Sequence, residues 1–264
     1  MNVKNRVISL VVFSLFICKN ILAQSCIIVM DNNTPIGMQT YFSSGSGNGL
    51  NKDKIKTYWD EDYYITSAAH GSAGWFVSMS KGVKWTNQSY CYQSNWPDDW
   101  VFQRKKEGKM ITSLAASDSY WLVVASSNTA YTAQEICAAP WNNLKEWITK
   151  WWNKDYYITS IACQNGLWTI VMSKTNLYKN QSYFWATSTD KLKEKINDKW
   201  NSDYYITALE YGGGEFFCIM SKYSDDKSRL QHWKIGTSGY GDDIKEYWDK
   251  EYRITYIGGQ NIMK

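Results

Sequence analysis

The stretch that decides the fold is Trp152-Asn153-Lys154-Asp155-Tyr156-Tyr157-Ile158-Thr159-Ser160. Versions of it return along the chain, so that an Ile-Thr pair begins at residues 65, 111, 158, 206 and 254, in steps of 46, 47, 48 and 48 residues. Self-similarity at one fixed period is typical of repeat architectures such as solenoids and propellers. The sequence therefore predicts five copies of one structural unit.

Two further strands recur after the Ile-Thr strand. The first ends in Met-Ser or a variant, as in Thr169-Ile170-Val171-Met172-Ser173, and Asn165-Gly166 should form the tight turn before it. The second contains a glutamine, as in residues 181–185, and should be the third strand of the same unit. Apolar residues four apart, such as Leu192 and Ile196, leave the fourth element open between a short helix and an irregular outer strand.

The chain begins and ends with an incomplete repeat. Residues 26–31 match the Met-Ser strand but follow no Ile-Thr strand, and residues 253–257 match the Ile-Thr strand with no Met-Ser strand after them. An open array would leave both edges unpaired, whereas a ring lets them pair with each other. We therefore expect an all-β protein with short helical turns: a closed ring of five repeats, a five-bladed β-propeller sealed by its terminal half-repeats.

The N-terminus has the pattern of a cleaved signal peptide. Lys4 and Arg6 precede an apolar run of about 12 residues, whereas a membrane-spanning helix needs roughly 20. We expect residues 1–23 to be the signal peptide and residues 24–264 to form a single five-repeat domain. The mature protein would be secreted or periplasmic, without membrane attachment.

Net charge and residue composition exclude some classes of binding partner. Removing Lys4, Arg6 and Lys19 with the signal leaves 26 basic and 25 acidic side chains. A chain so close to neutral carries no basic footprint for nucleic acid. It also has no Cys-x-x-Cys motif of the kind that zinc sites use. We expect a monomer without cofactor, whose partner is a carbohydrate, a peptide or a protein, and whose cysteines are free thiols.

An acidic residue recurs just before the repeated tyrosine, at Asp62, Asp155, Asp203 and Glu251. In the one remaining copy Gly108 stands at this position. These carboxylates could form a ring that holds a cation. A turn that needs a left-handed residue would select Gly, Asp or Asn at the same place. Gly108 favours the turn, and we expect no metal site.

The combination Trp-x3-Tyr/Tyr-Ile-Thr, Val-Met-Ser-Lys and Asn-Gln-Ser-Tyr resembles a propeller-like repeat domain of unknown function. That domain occurs in the C-terminal region of plant casein kinase I-like kinases and in exported bacterial proteins. The likeness covers nearly the whole mature chain and is most specific at residues 144–185. It implies the module and not the kinase, because the chain lacks a lysine-bearing Gly-rich loop followed by His-Arg-Asp. It brings no catalytic residues with it.

Two repeated positions are candidates for ligand contact. The glutamines Gln88, Gln134 and Gln181 could offer amides to a sugar, or could bind the backbone of a neighbouring strand. Three residues before them stand Trp85, Tyr131 and Tyr178, whose rings could stack on sugars or on peptide side chains, or pack inside a hairpin.

These candidates favour an exported, non-catalytic binding module that recognises carbohydrate or peptide through the loops between repeats. One alternative is a glycan-acting hydrolase with carboxylates at the centre of the ring, for which Asp98, Asp99, Asp242 and Asp243 are available. Another is a purely structural interaction module. His70 and His232 fall in different phases of the repeat and suggest no catalytic constellation.

Overall fold

The computed structural model describes residues 26–45, 47–72, 74–225, 227–236 and 240–259. The predicted signal peptide, residues 1–23, lies outside them. The strands are β1 (Cys26–Asp31), β2 (Gln39–Ser43), β3 (Tyr64–Gly71), β4 (Gly74–Ser80), β5 (Thr86–Gln93), β6 (Met110–Ala116), β7 (Trp121–Ser127), β8 (Tyr131–Ala139), β9 (Tyr156–Gln164), β10 (Leu167–Thr175), β11 (Tyr178–Ala186), β12 (Tyr205–Gly212), β13 (Glu215–Tyr223), β14 (Gln231–Gly236) and β15 (Arg253–Gly258). The helices are α1 (Lys52–Asp60), α2 (Asp98–Lys106), α3 (Trp141–Trp152), α4 (Thr189–Trp200) and α5 (Tyr240–Asp249).

The strands form five antiparallel three-stranded sheets. In each sheet a Met-Ser strand is central, with an Ile-Thr strand on one edge and a glutamine strand on the other. The orders are β2-β4-β3 (sheet 1), β5-β7-β6 (sheet 2), β8-β10-β9 (sheet 3), β11-β13-β12 (sheet 4) and β14-β1-β15 (the closing sheet). This is the five-bladed, propeller-like all-β fold that the repeats predict.

The prediction was wrong about which sheet the glutamine strand joins. The strand that contains Gln181 does not complete the unit before it but pairs with β13 of the next sheet. The connection from β10 to β11 is only residues 176–177, so the chain passes directly from one sheet into its neighbour. A sheet is therefore built in the order glutamine strand, helix, Ile-Thr strand, Met-Ser strand.

The N-terminal strand closes the ring. β1 pairs with both β14 and β15, so the two ends of the chain form one sheet. The Ile-Thr strands contact one another in the order β3, β6, β9, β12 and β15, and β15 contacts β3 again. We call these the inner strands and the glutamine strands the outer strands. The predicted pairing of terminal half-repeats is confirmed.

The fourth element is a helix rather than an outer strand. Each helix connects an outer strand to an inner strand, and all except α2 bury at least one aliphatic side chain. The buried residues are Ile55, Leu144, Ile148, Leu192, Ile196 and Ile244. Because a helix turn brings residues four apart onto one face, these side chains and the tryptophans that follow them point towards the same sheet.

The acid before the repeated tyrosine is a turn residue, as predicted. Asp155 has a φ of 64°, and its three counterparts lie between 59° and 65°. Gly108 has a φ of 75° at the same place. In this left-handed region Gly is unstrained, and Asp and Asn are the side chains that tolerate it best.

Most of the core lies between the sheets. The five isoleucines of the Ile-Thr pairs are all buried, and the central strands are apolar on both faces. Bulky aromatic residues fill the space between sheets 3 and 4, where the Trp168 ring of sheet 3 lies 5.0 Å from the Trp185 ring and 5.3 Å from the Phe217 ring of sheet 4. Within the described residues, no helix combines the length and the apolar character that crossing a membrane requires.

Candidate functional site: glutamine clamps and a tyrosine recess

Each glutamine joins two neighbouring sheets through a set of hydrogen bonds that we call the glutamine clamp. Gln181, on the outer strand of sheet 4, accepts bonds through Oε1 from the Ile158 backbone N–H at 2.7 Å and from the Trp152 indole N–H at 3.1 Å. Its Nε2 donates to the Ile158 carbonyl at 2.9 Å and to Ser221 Oγ at 3.0 Å. Ile158 and Trp152 belong to the preceding sheet and its helix, so the amide locks one unit to the next.

The clamp sits beside an irregularity shared by all five inner strands. The pairing with the central strand skips the threonine of every Ile-Thr pair. Such a bulge disturbs the hydrogen-bond ladder of its strand. The glutamine amide binds both backbone groups of the adjacent isoleucine, and so it satisfies buried polar groups that would otherwise be costly.

The clamp matches the second interpretation of Gln88 and Gln181, in which each amide binds the backbone of a neighbouring strand. An amide side chain offers two acceptor and two donor positions, and both residues use all four. No capacity remains for a sugar hydroxyl. The same chemistry closes the ring, because Gln39 in sheet 1 accepts bonds from the Trp248 indole and the Ile254 N–H of the closing sheet.

Gln134 departs from this pattern. It donates to the Ile111 carbonyl and to Ser173 Oγ, and among the described residues its Oε1 accepts only the Ile111 N–H. The reason is Lys105, which stands where the other units have tryptophan and whose Nζ donates to the Gln134 backbone carbonyl instead. Gln134 is 5% exposed, so it belongs to the clamp and not to the loop surface.

Two of the predicted aromatic contacts come together on one face of the ring. The connections from central strands to the next outer strands lie on a common side, which we call the loop face. Tyr178 lies on this face beside Tyr223, with 5.3 Å between ring centres, and beside Tyr157 at 5.8 Å. Tyr131 lies near enough that the negative charge of its ionised phenol would raise the pKa values of Tyr178 and Tyr223.

These tyrosines form one cluster. Tyr131, Tyr178 and Tyr223 are each half-buried, with part of the side chain open to solvent. Even so, burial raises the pKa of the Tyr131 phenol to about 12 and raises the pKa values of the other two phenols as well. The phenol groups are thus largely desolvated, although each side chain keeps some exposure. We call the three residues the tyrosine recess.

A buried arginine borders the tyrosine recess. Arg229 is 9% exposed, and its guanidinium lies 3.8 Å from the centre of the Tyr223 ring. Asp225 accepts two bonds from it, at 2.6 and 2.7 Å, and the guanidinium holds the pKa of the Asp225 carboxyl below its usual value. Arg229 also interacts electrostatically with Asp31, which is buried on β1. The recess thus combines aromatic faces with charged hydrogen-bonding groups.

The loop face also carries exposed apolar residues. Met38 is 62% exposed, Leu230 is 60% exposed and Leu177 is 38% exposed, each just before or at the start of an outer strand. Trp85 lies on the same face in sheet 2 and is half-buried. Tyr131 and Tyr178 thus lie near each other, whereas the Trp85 ring packs against no other aromatic ring among the described residues and stays a separate candidate.

The other candidate residues lie apart from one another. Asp98 and Asp99 are in the first turn of α2, and Asp242 and Asp243 are in the first turn of α5, where acids favour the positive end of the helix dipole. His70 packs edge-on against Trp75 in sheet 1, and His232 stacks on Tyr247 in the closing sheet. The described residues contain no group of three or more potential metal ligands.

Sequence reasoning missed one acid, Glu210, at the centre of the ring. It stands on β12 where the other inner strands have alanine or glycine, and it is 4% exposed. Its oxygens accept bonds from the Gly259 N–H at 2.7 Å and the Tyr256 hydroxyl at 3.5 Å. Burial raises the pKa of Glu210 well above its usual range. The sequence signal that could have identified Glu210 is an acid at a repeat position where the other four copies have alanine or glycine.

The cysteines that the structure describes differ in their exposure. Cys26, Cys163 and Cys218 are buried, and Cys91 and Cys137 are partly exposed. Burial raises the pKa of the Cys26 and Cys163 thiols to about 12, which keeps them protonated and unreactive at neutral pH.

Comparison with known proteins agrees with the repeat architecture. The chain matches a domain of unknown function, DUF7477, over residues 8–142 and again over residues 138–261. The chain belongs to this family. The two DUF7477 matches meet at the end of β8 and the start of α3, so each covers about half of the ring.

A plant protein is similar to part of this chain. It is casein kinase 1-like protein HD16 of Oryza sativa subsp. japonica, 32% identical over 105 residues. The match covers 39% of this chain but only 15% of the rice protein. The predicted resemblance to a module found in casein kinase I-like proteins is thereby confirmed.

Proposed function

We propose that this protein is a non-catalytic binding module that takes a carbohydrate or peptide ligand at the tyrosine recess on its loop face. The observation that supports this most directly is the convergence of Tyr131, Tyr178 and Tyr223 beside Arg229. The first two came from separate repeats in the sequence, and the ring brings them to one place. We further propose, from the N-terminal signal pattern, that the module acts outside the cytoplasm.

The chemistry of the recess suits such ligands. Aromatic rings bind the apolar faces of sugars and peptide side chains, and guanidinium and carboxylate groups hydrogen-bond hydroxyls and amides. Of the two ligand classes we favour carbohydrate, because Arg229 and Asp225 already neutralise each other. Their remaining hydrogen-bonding capacity therefore suits an uncharged ligand. Exposed Met38, Leu177 and Leu230 would extend the apolar contact beyond the recess.

The clamps support a binding role for the loops and not for the repeated core. All repeated polar side chains at the clamps already have partners within the protein, whereas the residues between central and outer strands vary from copy to copy. A rigid ring that presents variable loops is a common arrangement for recognition. Glu210, the buried acid at the centre of the ring, already accepts hydrogen bonds from the Tyr256 hydroxyl and the Gly259 N–H.

The proposal is tested by presenting residues 24–264 to a glycan array and a peptide array, followed by calorimetric titration with the best ligand. We expect Tyr178→Ala and Tyr223→Ala each to weaken binding by about tenfold, since a stacked aromatic contributes roughly 1 kcal/mol or more. Weaker ligand binding by Trp85→Ala would show that the binding site extends to sheet 2.

The matched control is Tyr120→Ala, which removes an exposed tyrosine from the turn between β6 and β7, at the opposite end of the strands. It should bind as the unchanged protein does. Full binding by both recess variants would exclude this site, and turnover of a glycan that is lost on replacing one acid would instead support the hydrolase.

A further inference from the structure

The second repeat lacks the indole that the other four clamps hold. Lys105 replaces it, and the neighbouring positions shrink as well. Ala125 stands where the central strand elsewhere has methionine, and Ile136 stands where an aromatic residue follows the glutamine. Elsewhere that aromatic packs on the indole, as Tyr183 does on Trp152 with 5.3 Å between ring centres. Val101 replaces the isoleucine one helical turn before the tryptophan.

These replacements leave a cavity. A partly open space of about 260 Å³ lies between α2 and sheets 2 and 3, and Val101, Lys105, Ala125, Gln134 and Ile136 all line it. α2 accordingly buries none of its residues, unlike the other helices among the described residues. The cavity occupies the clamp itself, so its walls are the groups that enclose an indole in the other units.

Two polar groups in the cavity wall have unused hydrogen-bonding capacity. Gln134 Oε1 accepts the Ile111 N–H but, among the described residues, has no counterpart of the indole N–H that Gln88 and Gln181 receive. Arg104 also lines the cavity, and its Nε is buried without a hydrogen-bond partner in the part of the chain that the structure describes. One group needs a donor and the other needs an acceptor.

We infer that this cavity binds a planar aromatic ligand that carries a ring N–H donor and an adjacent carboxylate, that is, an acidic indole. The ring takes the place of the missing tryptophan, its N–H donates to Gln134 Oε1, and its carboxylate accepts from Arg104. The site is distinct from the tyrosine recess, because it lies on the flank of the ring beside α2.

Size and charge favour this ligand class. Ligand sites in proteins usually measure about 300–1,000 Å³, so a cavity of about 260 Å³ suits one ring system and not an oligosaccharide. Arg104, Lys105 and Lys109 line it, against Asp98 and Glu135. Lys105 Nζ donates one hydrogen bond to the Gln134 carbonyl. Glu107 pairs with the terminal Nη2 of Arg104 at 2.8 Å, which leaves Arg104 Nε for the ligand. Trp100 and Phe102 add apolar surface at the rim.

The test is a calorimetric titration of residues 24–264 with indole-3-acetate and two matched probes. One is 1-methylindole-3-acetate, which lacks the N–H, and the other is 3-methylindole, which lacks the carboxylate. We expect each loss to weaken binding by about tenfold, as removal of one hydrogen bond in a desolvated site does. A capped Asp-Trp-Asp peptide is the fourth probe: tighter binding than the free acid would identify a tryptophan side chain of a protein as the source.

Variants that refill the cavity give the decisive comparison. Lys105→Trp restores the indole of the repeat and should abolish binding of indole-3-acetate, and Ala125→Met should weaken it by about tenfold through lost volume. Lys106→Trp places the same side chain on the next helical position, outside the cavity lining, and should leave binding unchanged. No binding to the unchanged protein at millimolar probe, or equal binding after both refilling substitutions, would overturn the inference.

Discussion

One residue, Asp31, makes the central strand of the closing sheet different from the central strands of the other four sheets. Ser80, Ser126, Ser173 and Ser221 occupy its position in the other sheets. Asp31 lies on β1, is 1% exposed, and accepts a hydrogen bond from Thr255 Oγ1 at 3.0 Å. Burial raises the pKa of the Asp31 carboxyl to about 7, against the opposing effects of Gln231, Thr255 and the Arg229 charge. The protein thus places an ionisable group in the strand that seals the ring.

We predict that Asp31 makes the protein less stable as pH rises. Its folded pKa lies above the unfolded value near 3.8, so the folded state retains a proton that the unfolded chain releases. The contribution of the protonated Asp31 to the free energy of unfolding is full below about pH 4 and is lost between about pH 4 and 7. Above about pH 7 it stays constant. The change in the free energy of unfolding caused by Asp31→Ser should therefore be more favourable at pH 8 than at pH 5, by about 2–4 kcal/mol.

Urea denaturation of both proteins at a series of pH values measures this difference. Serine preserves the hydrogen bonds because Ser80, Ser126 and Ser221 make the same contacts to threonine and glutamine. The control, Asp118→Ser, changes an exposed carboxylate and should show no such trend. A pH-independent difference between Asp31→Ser and the unchanged protein would show that Asp31 does not titrate in this range.

At the scale of elements, short turns fix how each helix enters its inner strand. Asp155 follows α3, and its left-handed φ of 64° reverses the chain into β9. The next turn, Asn165-Gly166, has two positive φ values, 50° and 78°, and joins β9 to β10 as a two-residue hairpin. Both were predicted from residue type, because few side chains tolerate positive φ.

We predict opposite effects for two substitutions at Asp155. Asp155→Gly should leave stability unchanged or raise it by up to about 1 kcal/mol, since Gly108 already serves this turn in the second repeat. Asp155→Val should lower the free energy of unfolding by about 1–2 kcal/mol, because a β-branched side chain is strained at this φ. Chemical denaturation at neutral pH measures both effects.

Asp118→Val is the control for this turn. Asp118 is exposed, and its φ is not positive, so the change should stay within about 0.5 kcal/mol. An equal loss of stability for glycine and valine at position 155 would mean that the Asp155 carboxylate, and not its backbone conformation, matters there.

At the scale of the whole molecule, ring closure depends on contacts between opposite ends of the chain. β1 supplies the central strand of a sheet whose two edges, β14 and β15, lie more than 200 residues later. Gln39 then ties Trp248 and Ile254 to sheet 1, as the other glutamines tie their own neighbours. Every sheet therefore has two neighbours, and none is terminal.

We predict that deletion of residues 244–264 disrupts the cooperative unfolding of the whole ring. The deletion removes β15 and Trp248, so β1 loses one edge partner and Gln39 loses both of its donors. An open array would lose only the stability of one unit. Thermal and urea unfolding followed by circular dichroism should show a broader transition at lower midpoint, with a smaller dependence on urea.

Deletion of residues 260–264 alone is the control for the effect of truncation, and it should leave the transition cooperative. An unchanged transition after the longer deletion would show that the N-terminal strand does not need its partner, and that the ring is not a single cooperative unit.

The sequence by itself determined the repeat, the number of units, the strand types, the turns and the pairing of the chain ends. These follow from residue spacing and from the few residues that tolerate special backbone angles. The sequence also indicated Tyr131 and Tyr178, because loop positions that vary between copies stand out against a repeated core.

Only the tertiary structure decided which sheet each outer strand joins, and with that the role of the glutamines. Pairing between strands depends on contacts across the ring, and local spacing is the same whether Gln181 faces its own unit or the next one. The tyrosine recess needed Tyr223 and Arg229 from other positions of the repeat, and the cavity beside Lys105 needed three small replacements to meet in space. Such convergence is a property of packing, and periodicity along the chain does not encode it.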